Sequence, residues 1–154
     1  MKKLILLSGF VLAGLVSVQA QDAGSVRANL DFAYDTDIEE LGLNFGAEYF
    51  ITDKITAAPN YTIFFVDDPV DFSALNIDGR YYFLNSPVQV YGLFGFALRF
   101  IDVGIFDDTD GGLNFGAGAF VPLGGKFSIH SQLKYTTPYD GALVFQGGIA
   151  YRFK

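Results

Sequence analysis

The chain of 154 residues has no cysteine, no tryptophan, a single histidine and a single methionine. Without cysteine it can form no disulfide, carry no thiolate-held metal and receive no lipid on a mature N-terminal cysteine. Basic residues are scarce as well: ten Lys and Arg face seventeen Asp and Glu, for a net charge of −7. No basic stripe relieves that balance, which argues against nucleic acid as a partner. Beyond the first twenty residues there is no apolar run of the ~20 residues that a membrane-crossing helix needs.

Those first twenty residues stand apart. Lys2 and Lys3 precede an apolar run from Leu4 to Val18, broken by Ser8, Gly9, Gly14 and Ser17, and Val18-Gln19-Ala20 offers small residues before Gln21. This is the layout of a cleaved secretory signal peptide over residues 1–20, leaving 21–154 as one domain.

What the domain has in quantity is aromatic side chains (17%), eighteen glycines and a hydrophobic content of 51%, with a positive mean hydropathy of +0.30. The apolar residues fall on every second position, the period of a β-strand. From 141 onward, Leu143, Phe145, Gly147, Ile149, Tyr151 and Phe153 alternate with Ala142, Val144, Gln146, Gly148, Ala150 and Arg152. Seven earlier segments repeat this pattern, starting near residues 23, 41, 54, 74, 88, 113 and 127. They set Leu30 and Phe32 against Arg27 and Asp31, Phe45 against Asn44 and Glu48, and Phe94 and Phe96 against Gly95 and Arg99. Within the third segment Pro59 cannot donate to a ladder, so a bulge or a missing hydrogen bond is expected between Ala58 and Asn60.

Eight such strands, each near the ~9–11 residues a tilted strand needs to cross a bilayer, predict an all-β, eight-stranded antiparallel up-and-down transmembrane barrel. Volume assigns the faces. The large apolar face is too bulky for an eight-stranded lumen, which side chains just fill, so it faces lipid. The opposite face, with Ala33, Gly42, Gly46, Gly95, Gly116 and Gly148, faces inward.

Charged residues on the inward face require partners. Arg27, Glu48, Lys54, Asp78, Arg80 and Arg152 are the candidate lumen ion pairs. With the N-terminus periplasmic, Arg27, Glu48, Lys54 and Arg152 share a layer, and Glu48 is expected to bridge at least one of the three cations. The outer connections carry Asp35, Asp37, Glu39, Glu40, Asp67, Asp68, Asp71, Asp102, Asp107, Asp108, Asp110 and Asp140 and no Lys or Arg. The stretch from Asp102 to Gly112 is expected to be the longest loop.

Gln146, Gly148, Tyr151 and Phe153 match a spaced pattern of polar residue, glycine, aromatic and aromatic. This resembles the C-terminal assembly signal of bacterial outer-membrane proteins, and the whole domain is similar in plan to the small eight-stranded barrels of the OmpA, OmpX and OmpW kind. The resemblance implies the outer membrane of a Gram-negative bacterium, contact with its lipid and lipopolysaccharide, a monomeric barrel, and delivery by periplasmic chaperones to the outer-membrane assembly machinery. It implies no single activity.

That scaffold offers few candidates for chemistry. His130 has Ser131 on the opposite face and Ser128 two residues away on its own, with no acid in the sequence placed to orient the ring, so no catalytic set is assigned. Asp107, Asp108 and Asp110 hint at a calcium loop, but with Gly111 in the sixth position the first and twelfth positions fall on Phe106 and Ala117. They are weak metal candidates, and no cofactor is assigned. The reading is a structural or surface-interaction barrel acting through short acidic outer loops, without catalysis. A small-solute pore is the alternative, and a lipid-modifying enzyme a more distant one.

Overall fold

The computed structural model describes residues 23–85 and 87–153. The signal peptide predicted for residues 1–20 lies outside the described residues. Eight strands follow in order: β1 (Val26–Asp35), β2 (Glu40–Phe50), β3 (Ile55–Phe64), β4 (Asp71–Leu84), β5 (Gln89–Asp102), β6 (Asp107–Gly124), β7 (Phe127–Thr136) and β8 (Ala142–Arg152). Each pairs antiparallel with its sequence neighbour, and β8 pairs with β1, so the sheet closes into a barrel. Closure removes the unpaired edges that an open sheet would expose.

The two faces sort as the alternation predicts. Phe32, Phe83, Phe94, Phe96, Phe145 and Ile149 stand exposed on the outer wall, whereas Arg27, Asp31, Asn44, Glu48, Asp78, Arg80 and Gln132 are buried inside. An apolar outer wall around a polar core is what a bilayer requires and what water would penalise. Where the wall meets the mouth that carries the chain ends, Phe127, Tyr151 and Phe153 form edge-to-face pairs at 5.0 Å, placing rings at the level of an interfacial aromatic girdle.

Pro59 breaks the ladder as expected, by omission and without a bulge. Pairing between β2 and β3 stops after Gly46↔Asn60 and resumes at Tyr49↔Ala57 in the same register. On its other side Pro59 stays paired with Ile77.

Three predicted boundaries are corrected. Strand β3 begins at Ile55, so Lys54 sits in the exposed turn before it. Asp35 belongs to β1 and is fully buried, no longer part of an acidic turn. The expected long loop from Asp102 to Gly112 is mostly strand: β5 runs to Asp102, β6 starts at Asp107, and the pairs Asp102↔Asp107 through Ala97↔Gly112 are all formed. Aspartate and glycine have low strand propensity, but that propensity yields to context, and here a continuous ladder to β5 supplies it.

The closing seam rests on a glycine. A Cβ on Gly148 would lie 2.0 Å from the Leu30 carbonyl oxygen and 2.6 Å from the Asp31 Cα, both backbone atoms of β1. Gly148→Val is therefore expected to fail to close the barrel. Refolding from urea into detergent, with no cellular machinery present, should abolish its heat-modifiable migration. A variant that refolds like the parent would show that Gly148 serves recognition alone.

Candidate functional site

Among the inward residues, Glu48 on β2 gathers groups from three other strands. Its carboxylate lies 3.2 Å from Arg27 Nη1 on β1 and 3.4 Å from Arg80 Nη1 on β4. Thr56 on β3 and Tyr82 on β4 donate hydroxyl hydrogen bonds to it at 2.7 and 2.6 Å. The expected bridge to at least one of the three cations is made with Arg27, and Arg80 on β4 completes the cluster. Lys54, another of the three candidate cations, does not join it, because Lys54 lies exposed in its turn. Arg152 lies opposite Arg27 across the β1–β8 seam, half-buried, and makes no ion pair within 4 Å among the described residues.

Farther along the lumen Asp78 accepts hydrogen bonds from Asn60 (3.0 Å) and Asn114 (2.8 Å) and lies 3.6 Å from Lys134 Nζ. Asn44, Asn60, Asn76 and Asn114 are linked amide to amide across β2, β3, β4 and β6. Arg99 pairs with Asp35 at the far end. Sequence reasoning placed Arg99 inside but left Asp35 in a loop; the inward parity of Asp35 with Arg27 and Asp31 was the available signal.

His130 does have an orienting acid. Asp31 Oδ1 lies 2.8 Å from its Nδ1, and Tyr91 Oη lies 2.8 Å from Nε2. An ionised carboxylate only accepts, so Asp31 holds Nδ1 as the protonated nitrogen. This corrects the expectation that no acid reaches the ring: Asp31 is 99 residues away in sequence, on β1, and only closure of the barrel brings it there. Among the described residues no serine is hydrogen-bonded to the His130 ring, and Ser131 faces outward next to Gly147.

Two apolar plugs close the polar zone. Phe50, Tyr82, Tyr91, Leu93 and Phe120 pack together toward the mouth of the chain ends. Phe64, Phe72, Ala33, Ala74 and Val144, with Ile38, Val66, Ile101 and Tyr139, pack at the opposite mouth. Phe50, Phe64 and Phe72 sit at or near strand ends, where alternation gave no inward assignment.

The acidic residues of the β5–β6 hairpin serve as anchors. Tyr139 donates its backbone N–H to Asp110 (2.8 Å) and its hydroxyl to Asp108 (3.0 Å), tying the β7–β8 connection to β6. Asp107, Asp108 and Asp110 thus do not assemble as a metal centre: no group of three or more His, Cys, Asp or Glu is placed to hold an ion among the described residues. Of the predicted assembly-signal residues, Gln146 is buried in the lumen and accepts a hydrogen bond from Gln132 at 2.5 Å. Gly148 forms the seam, and Tyr151 and Phe153 lie in the aromatic girdle.

Desolvation and the hydrogen bond to Asp108 push the Tyr139 phenol up to about 12. Because this pKa is raised on folding, the clamp contributes fully below the ordinary tyrosine value of ~10 and is lost as pH rises through about 12. Phenolate absorbance of the folded barrel should lose a late-titrating component in Tyr139→Phe; an unchanged late component in that variant would contradict the clamp. In the lumen, Asp31→Ala strands the His130 N–H and should cost about 1–3 kcal/mol in urea unfolding from lipid vesicles, an expectation that an unchanged midpoint would refute.

No protein-family model and no curated protein matches the chain. Solved structures do. The N-terminal β-barrel domain of Pseudomonas aeruginosa OprF matches with a TM-score of 0.73 at 19% identity, over 85% of this chain and 98% of that one. Ail, the attachment invasion locus protein of Yersinia pestis, matches with a TM-score of 0.59 at 18% identity, over 85% and 99%. A de novo designed transmembrane β-barrel also matches, with a TM-score of 0.61 at 15% identity, over 87% and 99%. Likeness to a designed barrel carries architecture and no activity. The chain has the fold of the small eight-stranded β-barrels of the Gram-negative bacterial outer membrane.

Proposed function

We propose that the protein is a sealed outer-membrane barrel with a structural and surface-interaction role, without catalysis, whose contact element is the raised β5–β6 ribbon. The observation that carries this reading is where β6 ends. It pairs with β7 only as far as Asn114↔Thr136, while residues 107–113 continue upward paired to β5 alone among strands. At the tip Val103, Ile105 and Phe106 are exposed, Ile105 to 87%. Apolar side chains so exposed above a membrane surface, rimmed by Asp102, Asp107 and Asp108, have the composition of a contact patch.

The lumen supports the negative half of the reading. Its ion pairs, asparagine belt and two apolar plugs fill the section that a solute would cross, as expected for eight strands. The Asp31–His130–Tyr91 set is buried within the same packing, and no serine or threonine hydroxyl is hydrogen-bonded to it among the described residues. With the chain ends periplasmic, the ribbon stands outside the cell. Ail has been solved with the heparin analogue sucrose octasulfate; the acidic rim here would repel such a polyanion, which favours a neutral or cationic partner surface.

Planar bilayers holding the refolded barrel should show no stable single-channel steps, and regular steps would replace this reading by a pore. The absence of native cysteine makes the ribbon directly testable. Ile105→Cys should react on intact cells with a membrane-impermeant maleimide, and protection until the cells are broken would place the ribbon on the wrong side.

A further inference from the structure

Among the described residues, the mouth that carries the chain ends has more positive charge than its carboxylates can match. Arg27 and Arg80 both approach Glu48. Arg152 enters the same layer, directly opposite Arg27 in the seam, and like charges facing each other across a ladder are destabilising. Both guanidinium carbons lie 5.2 Å from the centre of the Phe50 ring, so the two cations share one aromatic surface. Among the described residues, three arginines thus share a layer with one buried carboxylate that pairs with two of them, and the other buried acids are engaged elsewhere: Asp31 by His130, Asp35 by Arg99, Asp78 by Lys134.

Besides Glu48 Oε2, Arg80 Nε and Arg80 Nη1 in the Glu48 cluster, two polar groups at this mouth have no hydrogen-bond partner among the described residues. Arg152 Nη2 is buried without a hydrogen bond, and so is the hydroxyl of Ser25. Ser25 is wholly buried and lies one step below Arg27 on the inward face of the same chain segment, its carbonyl accepting from the Phe50 N–H at 3.0 Å. Buried donors without acceptors are costly and rare in folded proteins. At the rim, Lys126 adds a further cation, its ammonium donating to the Phe153 carbonyl at 3.0 Å and lying 5.9 Å from the centre of the Tyr151 ring.

We infer that this mouth binds a compact oxyanion of the phosphate class, held by the Arg152 guanidinium and the Ser25 hydroxyl. Arginine's planar fork suits a phosphate oxygen pair. The bound anion supplies the negative charge that separates Arg152 from Arg27, and it gives both orphan donors an acceptor. Because the mouth lies at headgroup level, the phosphate can come from a periplasmic-leaflet phospholipid or from solution. The inference does not depend on what the ribbon contacts.

The test uses the whole refolded barrel in phosphatidylcholine vesicles, with arginine side chains labelled with nitrogen-15. Inorganic phosphate is titrated against chloride at constant ionic strength. The Arg152 Nε–H resonance should shift saturably with phosphate, the shift should weaken several-fold in Ser25→Ala, and it should vanish in Arg152→Gln. Unfolding midpoints give an independent reading: Arg152→Gln should equal or exceed the parent in chloride, where it relieves repulsion from Arg27, and fall below it in phosphate. If vesicles containing phosphatidylglycerol produce the same shift without added phosphate, the lipid headgroup is the source; if only free phosphate does, the ligand is soluble. A parent barrel whose Arg152 resonance responds no more to phosphate or phosphatidylglycerol than to chloride overturns the proposal, whether or not the variants fold.

Discussion

The buried carboxylate of Glu48 is the point on which the barrel's interior depends. It sits on β2 and is held by groups from β1, β3 and β4, so half of the strands meet at one charge. Taking ions out of water costs several kcal/mol each, and that cost is offset only where the ions find each other and further hydrogen bonds. Here both arginines also lie over rings, Arg27 at 3.9 Å from the Phe120 centre and Arg80 at 4.6 Å from that of Tyr91. A buried pair of this kind is weak evidence for net stability. Its effect is on register: a one-residue slip of any of the four strands would turn its polar partner toward lipid.

From that constraint the rest of the lumen follows. Small inward residues such as Gly46, Gly95 and Gly148 leave room for the long side chains opposite, and a Cβ at Gly46 or Gly95 would strike Asn29 or Asp78. The asparagine belt extends the network toward the far mouth, where Arg99 and Asp35 end it. The polar interior and the apolar exterior are two results of one alternation, which is why a fold shared with a designed barrel at 15% identity can be reached by unrelated sequences.

Strand number, closure and face assignment were legible in the sequence, because period two persists through every segment and volume decides which face fits a narrow lumen. The Glu48–Arg27 contact was legible too, since both residues are inward and neighbouring strands pair them. Arg80 and Asp31 were seen as inward charges, but their partners Glu48 and His130 lie across the lumen, and cross-lumen contacts depend on stagger and side-chain reach that alternation does not encode. Lys54 and Asp35 were misplaced for a common reason: each stands at a strand end, where one residue of boundary error changes the environment. The β5–β6 ribbon was read as a loop because its aspartates and glycines are poor strand formers, while the ladder to β5 that holds it is a tertiary fact.

A double-mutant cycle on Glu48 and Arg80, read as unfolding free energy of the barrel in lipid vesicles, tests most directly that a shared buried charge organises the interior. A coupling of at least about 1 kcal/mol is expected, with Glu48→Gln costing more in the parent than in the Arg80 variant. Effects that add within ~0.5 kcal/mol would show that the two residues do not interact, and that the lumen is held by packing alone.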